Sequence, residues 1–382
     1  MIRVLSALAL TGLALIFLFW APPQPKYSSP VVVSEKLTFK VDTVVKGLKT
    51  PWGMAFLPDG SMLFTERGGD LHLVKNGKLA PKPIAGVPKV HAKGQGGLLD
   101  VELHPDYKKN GWIYLTYSAP VDSVSGGSTT TLMRARLKDN TLVDQETLFQ
   151  GLPAVKAAHH YGSKIVFDNA GYVYFSMGDR GEMANAQLLS NHRGKTFRLH
   201  DDGKVPADNP FVNTPGAKPE IFTYGNRNPQ GLAKHPVTGE IWETEHGPKG
   251  GDELNILHGG KNYGWPTITY GINYDNTIIT TDTVKEGMEQ PVIFWRPSIG
   301  PCGLAFVTSD KYPGWKNNLL AGSMAFTYLE RIELDGNKVV HQEKLLDKIG
   351  RIRDITQGPD GYVYLAIEGP GMIVRLTPTK KP

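Results

Sequence analysis

The chain has 382 residues, 40% hydrophobic and 21% charged, an ordinary balance for a globular protein long enough to bury a large core. Its formal net charge of +5 is spread without any basic stripe interleaved with aromatics, which argues against a nucleic-acid partner. The single cysteine, Cys302, excludes an intramolecular disulfide framework and a cysteine-built zinc site, and reads as a small buried apolar residue.

The chain opens with a positive "MIR" and an almost unbroken apolar run, "VLSALALTGLALIFLFWA", over residues 4–21. This is a secretory signal peptide or an uncleaved N-terminal membrane anchor, since about 18 apolar residues lie near the lower limit for spanning a bilayer. Either reading sends the protein to the periplasm, with residues 4–21 as its membrane tether if they are kept. No cysteine follows the run, so lipid attachment there is excluded. Residues 22–36, beginning "PPQPKYSSP", form a Pro/Ser-rich spacer.

Beyond it one pattern recurs: an apolar stretch, a short turn carrying Asp, Gly or Pro, then an alternation rich in aromatics. The copies are "WGMAFLPDGSMLFTER", "LLDVELHPDYKKNGWIYLTYS", "SKIVFDNAGYVYFSMGD", "PQGLAKHPVTGEIWETEHG", "CGLAFVTSDKYPGWKNNLLAGS" and "RIRDITQGPDGYVYLAIEG". Strand, turn and strand at a spacing of roughly 45 to 70 residues is the signature of a propeller blade. The 43 glycines and 28 prolines suit many short strands, and no segment reads as a long amphipathic helix. The expected fold is therefore all-β: a six-bladed β-propeller of four-stranded antiparallel blades over residues 37–382. "KLTFKVDTVV" should pair with the last strand, "GMIVRLT", and close the ring without an exposed edge. A pair of β-sandwiches is the rival, but sandwiches have no need of internal repetition.

Five segments could carry chemistry, in chain order. In "GQGGLLDVELHP" glycines flank Gln95, whose amide both donates and accepts. In "AAHHYGSKIVF" His159 and His160 precede a strand; if strand geometry holds from residue 160, His160, Gly162 and Lys164 share a face and His159 points away, whereas a bend before the strand would let His159 reach the same site. In "YGNRNPQGLA" Arg227 and Asn228 precede a proline, the arginine suited to recognising an anion. "ETEHGPKGGDELNILHGGKNYGWP" gathers Glu243, Glu245, Asp252 and Glu253 with glycines that free carbonyls to turn inward, a supply of the hard oxygens that calcium takes. In "GRIRD" Arg351 and Arg353 alternate onto one strand face, which is costly unless an anion lies between them. Each also has a plain structural reading as turn, core or surface.

Taken in order, these segments resemble the soluble, pyrroloquinoline-quinone (PQQ)-dependent aldose sugar dehydrogenases of the glucose/sorbosone dehydrogenase family, over residues 37–378. The pairing of "EHGPKGGDELN" with "NYGWP" is its most specific element. The resemblance implies a quinoprotein that oxidises the C1 hydroxyl of aldoses to lactones by hydride transfer to calcium-bound PQQ. It makes His160 the base that takes the hydroxyl proton, with Arg227 beside the quinone oxygens. It implies cofactor contacts from Gln95, Arg227, Asn228, Tyr274, Arg351 and Arg353. Gly247 and Pro248 would hold the cofactor's calcium through their carbonyls, and Glu253 and Tyr263 a further, structural calcium. His159 falls where some members carry an acidic residue, and Ala325 or its neighbours where several carry a lysine, so a cofactor salt bridge is missing. The electron acceptor is not identified, and the assembly is a monomer or a homodimer. The alternatives are a non-catalytic exported propeller that binds a protein or polysaccharide, and a calcium-dependent lactonase, which would need carboxylates converging from several blades.

Overall fold

A computed structural model describes residues 30–379. The signal or anchor segment and most of the spacer lie outside the described residues. Six antiparallel sheets follow one another in chain order. The first strands of blades one to six are Pro51–Phe56, Leu98–Leu103, Ile165–Phe167, Pro229–Lys234, Pro301–Phe306 and Arg351–Gln357. Helix among the described residues is confined to Tyr107–Asn110 and the 3-10 turn Met183–Gln187.

The hairpin chemistry is local. In blade three Asp168 Oδ1 accepts the backbone N–H groups of Ala170 and Tyr172, closing the turn between the first two strands. In blade six Asp360 does the same for Tyr362. Second strands such as Val173–Met177 and Ile241–Glu245 are buried along their whole length, because neighbouring blades cover both faces. The core is consequently a set of wedges between blades. One packs Tyr114, Leu132 and Phe149 of blade two against Phe167, Phe175 and Phe197 of blade three. Each such fully buried aromatic contributes about 1.5–3 kcal/mol.

Thr38–Lys46 pairs with Met372–Thr379 as expected, so the N-terminal strand completes blade six and closes the ring. Val31–Val33 adds a fifth strand to that blade, so ordered structure begins inside the segment read as spacer. Inside the ring, Lys164 Nζ of blade three donates to Asp100 Oδ1 of blade two at 2.8 Å and to Asp354 Oδ1 of blade six at 2.7 Å. Asp354 Oδ2 in turn accepts the Met54 N–H of blade one. Four blades are thus clasped around the axis.

Candidate active site

Antiparallel pairing puts the start of each first strand and the end of each second strand on the same rim. Gln95, His160, Arg227, Asn228 and Arg351 all lie at or just before the start of a first strand. Asp179, His246, Gly247, Pro248, Ala325 and Glu368 lie at or just after the end of a second strand. Register shifts between first and second strands recur in blades one, two, four, five and six, the kind of bulge that re-aims side chains beside a site. Two adjoining clefts result, with Gln95 lining both. One of about 380 Å³ is bounded by His159, His160, Asp179, Arg227, Pro248, Trp265 and Tyr274. The other, about 220 Å³, is bounded by Trp52, His246, Ala325, Arg351 and Arg353.

The two histidines settle where the strand begins, in favour of a bend before it. The first strand of blade three begins only at Ile165, and His160, Gly162 and Ser163 have φ of 55°, 62° and 100°. The chain turns sharply here, so both imidazoles reach the same cleft, their centroids 4.7 Å apart. Lys164 faces the channel clasp instead. Gln95 Oε1 accepts the His160 N–H at 2.8 Å, and Asn228 Oδ1 accepts that of Gly162 at 3.1 Å. Two residues expected to touch cofactor therefore also brace this turn.

His160 Nδ1 lies 2.6 Å from Asp179 Oδ1. Asp179 is 1% exposed; its Oδ1 also accepts the Gly181 N–H at 2.7 Å, and its Oδ2 accepts Trp265 Nε1–H at 2.8 Å. Burial alone would raise the Asp179 pKa, but His160, Gly181 and Arg227 hold it below the ordinary carboxylate value. With Asp179 ionised, His160 Nδ1 must be the donor, which leaves Nε2 as the acceptor nitrogen. Burial lowers the His160 pKa against the pull of Asp179, with Arg227 and His159 adding to the lowering, so the ring rests neutral. Close approach needs glycine: a Cβ on Gly178 would stand 2.5 Å from the His160 carbonyl oxygen. Asp179 was missed from sequence, although "MGDRG" ends a blade's second strand, where rim residues gather.

In the second cleft Arg353 Nε lies 2.6 Å and Arg351 Nε 3.5 Å from Glu368 Oε2, so Glu368, also missed, is the anion between them. Arg353 is the extra residue of a bulge, between the Ile352 and Asp354 pairs. The Arg353 guanidinium lies 4.2 Å from the Trp52 ring centroid. Two cations share one carboxylate, so positive charge remains for an anionic ligand. Ala325 stands exposed in this cleft. Cys302 is buried beneath the site, its thiol 3.1 Å from the Arg353 carbonyl and pushed up in pKa by burial.

The oxygen-rich segment follows blade four's second strand. Pro248 borders the first cleft, and its carbonyl accepts a hydrogen bond from Ser298 at 3.1 Å; the Gly247 N–H donates to Asp252 Oδ1 at 2.8 Å. Behind them, the register sets Glu243 opposite Asn255 and Glu245 opposite Glu253 on one sheet face. Burial, then mutual repulsion, raises Glu243 well above its ordinary pKa. Burial raises Glu245 to about 7 and Glu253 to about 8. Glu243 Oε2 and Asn255 Oδ1 are buried with no partner. Crowded hard oxygens, two of them unpartnered, fit calcium chemistry. The Tyr263 hydroxyl is engaged by Ile256 and His258, so its main-chain carbonyl is what it would offer a metal. Tyr274, 72% exposed, stands at the mouth of the first cleft.

A propeller with a carboxylate-supported histidine beside an arginine-lined cleft defines a class of rim-centred enzyme sites. Residues 48–375 match the model of the family described as glucose/sorbosone dehydrogenase, and the chain belongs to that family. It is 42% identical over 348 residues to the aldose sugar dehydrogenase YliI of Escherichia coli K12, covering 89% of this chain and 93% of that protein. A crystal structure of the soluble aldose sugar dehydrogenase from E. coli in its apo-form superposes with a TM-score of 0.86 at 40% identity, covering 89% of this chain and all of that one. The PQQ-bound aldose sugar dehydrogenase of Streptomyces coelicolor superposes at 0.74 with 26% identity, over 92% of this chain and all of that one.

Proposed function

We propose that the protein is an exported quinoprotein that oxidises the C1 hydroxyl of aldose sugars to lactones with PQQ and calcium. The observation that carries this reading is the neutral, Asp179-supported His160 in a cleft that adjoins the Arg351–Arg353 pair, with Gln95 lining both. Bound PQQ would supply a two-electron acceptor for the C1 hydride, polarised by its calcium. Arg351 and Arg353 would hold its carboxylates, with Asn228, Gln95 and Tyr274 as further contacts. Gly247 and Pro248 carbonyls would hold its calcium, and Glu253 and Tyr263 the structural one.

His160 Nε2 takes the proton of the C1 hydroxyl, and Asp179 stabilises the imidazolium that forms. Arg227, whose Nη1 donates to the His246 carbonyl at 3.1 Å, would set a fixed positive charge beside the quinone oxygens, where negative charge would develop as hydride arrives.

The test is reconstitution of purified apo-protein with quinone and calcium against a panel of aldoses, with dye reduction as readout. Activity should need both additions and vanish in H160A. A non-catalytic propeller would show no dye reduction under any combination, and activity surviving H160A would reassign the base.

A further inference from the structure

Arg180 is absent from every role assigned so far, yet it is 1% exposed and ranks among the largest fully buried side chains. Its hydrogen bonds go to carbonyls rather than to a carboxylate: Nε donates to the His159 oxygen at 2.8 Å and Nη2 to that of Ala157. Nη1 is buried with no partner. The guanidinium carbon lies over the Tyr161 ring, 3.6 Å from its centroid. Arg180 also takes a left-handed backbone, φ 60°, which a non-glycine residue adopts only at a cost.

A buried cation on a strained backbone is an expensive way to fill space. Its position explains it. Arg180 follows Asp179 directly in the chain, and the carbonyls it holds flank and precede His160. It therefore crosslinks the turn that carries the carboxylate to the segment that carries the imidazole. Nothing else among the described hydrogen bonds joins residues 157–159 to residues 179–181. We infer that Arg180 is a positioning residue that sets the His160–Asp179 contact, and with it the tautomer on which the proposed sugar oxidation rests.

The experiment compares R180M, which keeps the bulk, and R180K, which keeps the charge without the planar fork that reaches the two carbonyls. The first readout is imidazole nitrogen NMR of the apo-protein. Wild type should show His160 as one tautomer, protonated at Nδ1; R180M should show mixed tautomers, with R180K between. The second readout is the reconstituted enzyme, where kcat should fall about tenfold or more with sugar KM within about threefold. A His160 spectrum unchanged in folded variants overturns the inference. So does failure of both variants to fold, which would make Arg180 a folding determinant only. The spectral arm needs no cofactor, so an inactive wild type would overturn the proposed function and leave Arg180 to be judged separately.

Discussion

Replacing Asp179 by asparagine keeps shape and removes one charge. Asp179 accepts three hydrogen bonds, from His160 and Gly181 on one oxygen and from Trp265 on the other. An amide cannot accept on both sides. With its oxygen toward His160, its NH₂ meets the Trp265 N–H, and a buried donor is left unmet at about 1–3 kcal/mol. With its oxygen toward Trp265, its NH₂ faces the Gly181 N–H and forces the His160 proton onto Nε2, where the base must accept. Either orientation loses the charge that stabilises the imidazolium, so D179N should lower kcat by about 10³- to 10⁴-fold, or about 4–5.5 kcal/mol of barrier. The assay is steady-state dye reduction by the reconstituted variant, with quinone binding followed separately by absorbance and expected to change little. A folded, quinone-loaded D179N within tenfold of wild-type kcat would refute the pairing as the basis of catalysis.

Other expectations follow from the same geometry. Burial lowers the His160 pKa, and the base works neutral, so kcat/KM should hold as pH falls and decline only below the ordinary histidine value of about 6.5; a limb at or above that value contradicts the assignment. K164M leaves Asp100 and Asp354, both fully buried, without their shared cation, and should cost about 3–5 kcal/mol in urea denaturation; under 1 kcal/mol would mean the clasp is not a staple. Ala325 is exposed in the arginine-lined cleft, where a lysine would add a screened charge contact, so A325K should tighten quinone binding by about two- to fivefold in a titration, and weaker binding would count against an anionic ligand there.

The six blades were legible because every blade repeats one local device, a strand, an Asp- or Gly-bearing turn and a strand, and local chemistry is what a sequence displays. Closure by Thr38–Lys46 was legible for the same reason, as a strand with no partner nearby. Gln95, Arg227 and the Arg351–Arg353 pair were visible as residue types, and the structure brings them to one rim. The partners were not visible. Asp179 meets His160, and Glu368 meets Arg353, only because hairpins return the end of a second strand to the rim where first strands begin. Whether His159 shares the site with His160 turned on where the strand begins, and residue types alone left that open: the chain bends through positive φ at His160, Gly162 and Ser163, a turn that a histidine or serine does not announce. Lys164, which would share the His160 face only in a continuous strand, belongs to the channel.

The most direct test is an anaerobic single turnover of the calcium- and quinone-loaded protein with an aldose deuterated at C1. Expected are loss of the oxidised-quinone absorbance, a primary isotope effect and one equivalent of lactone, all abolished in H160A. A preparation shown to hold quinone whose absorbance no aldose changes would contradict sugar oxidation at this site.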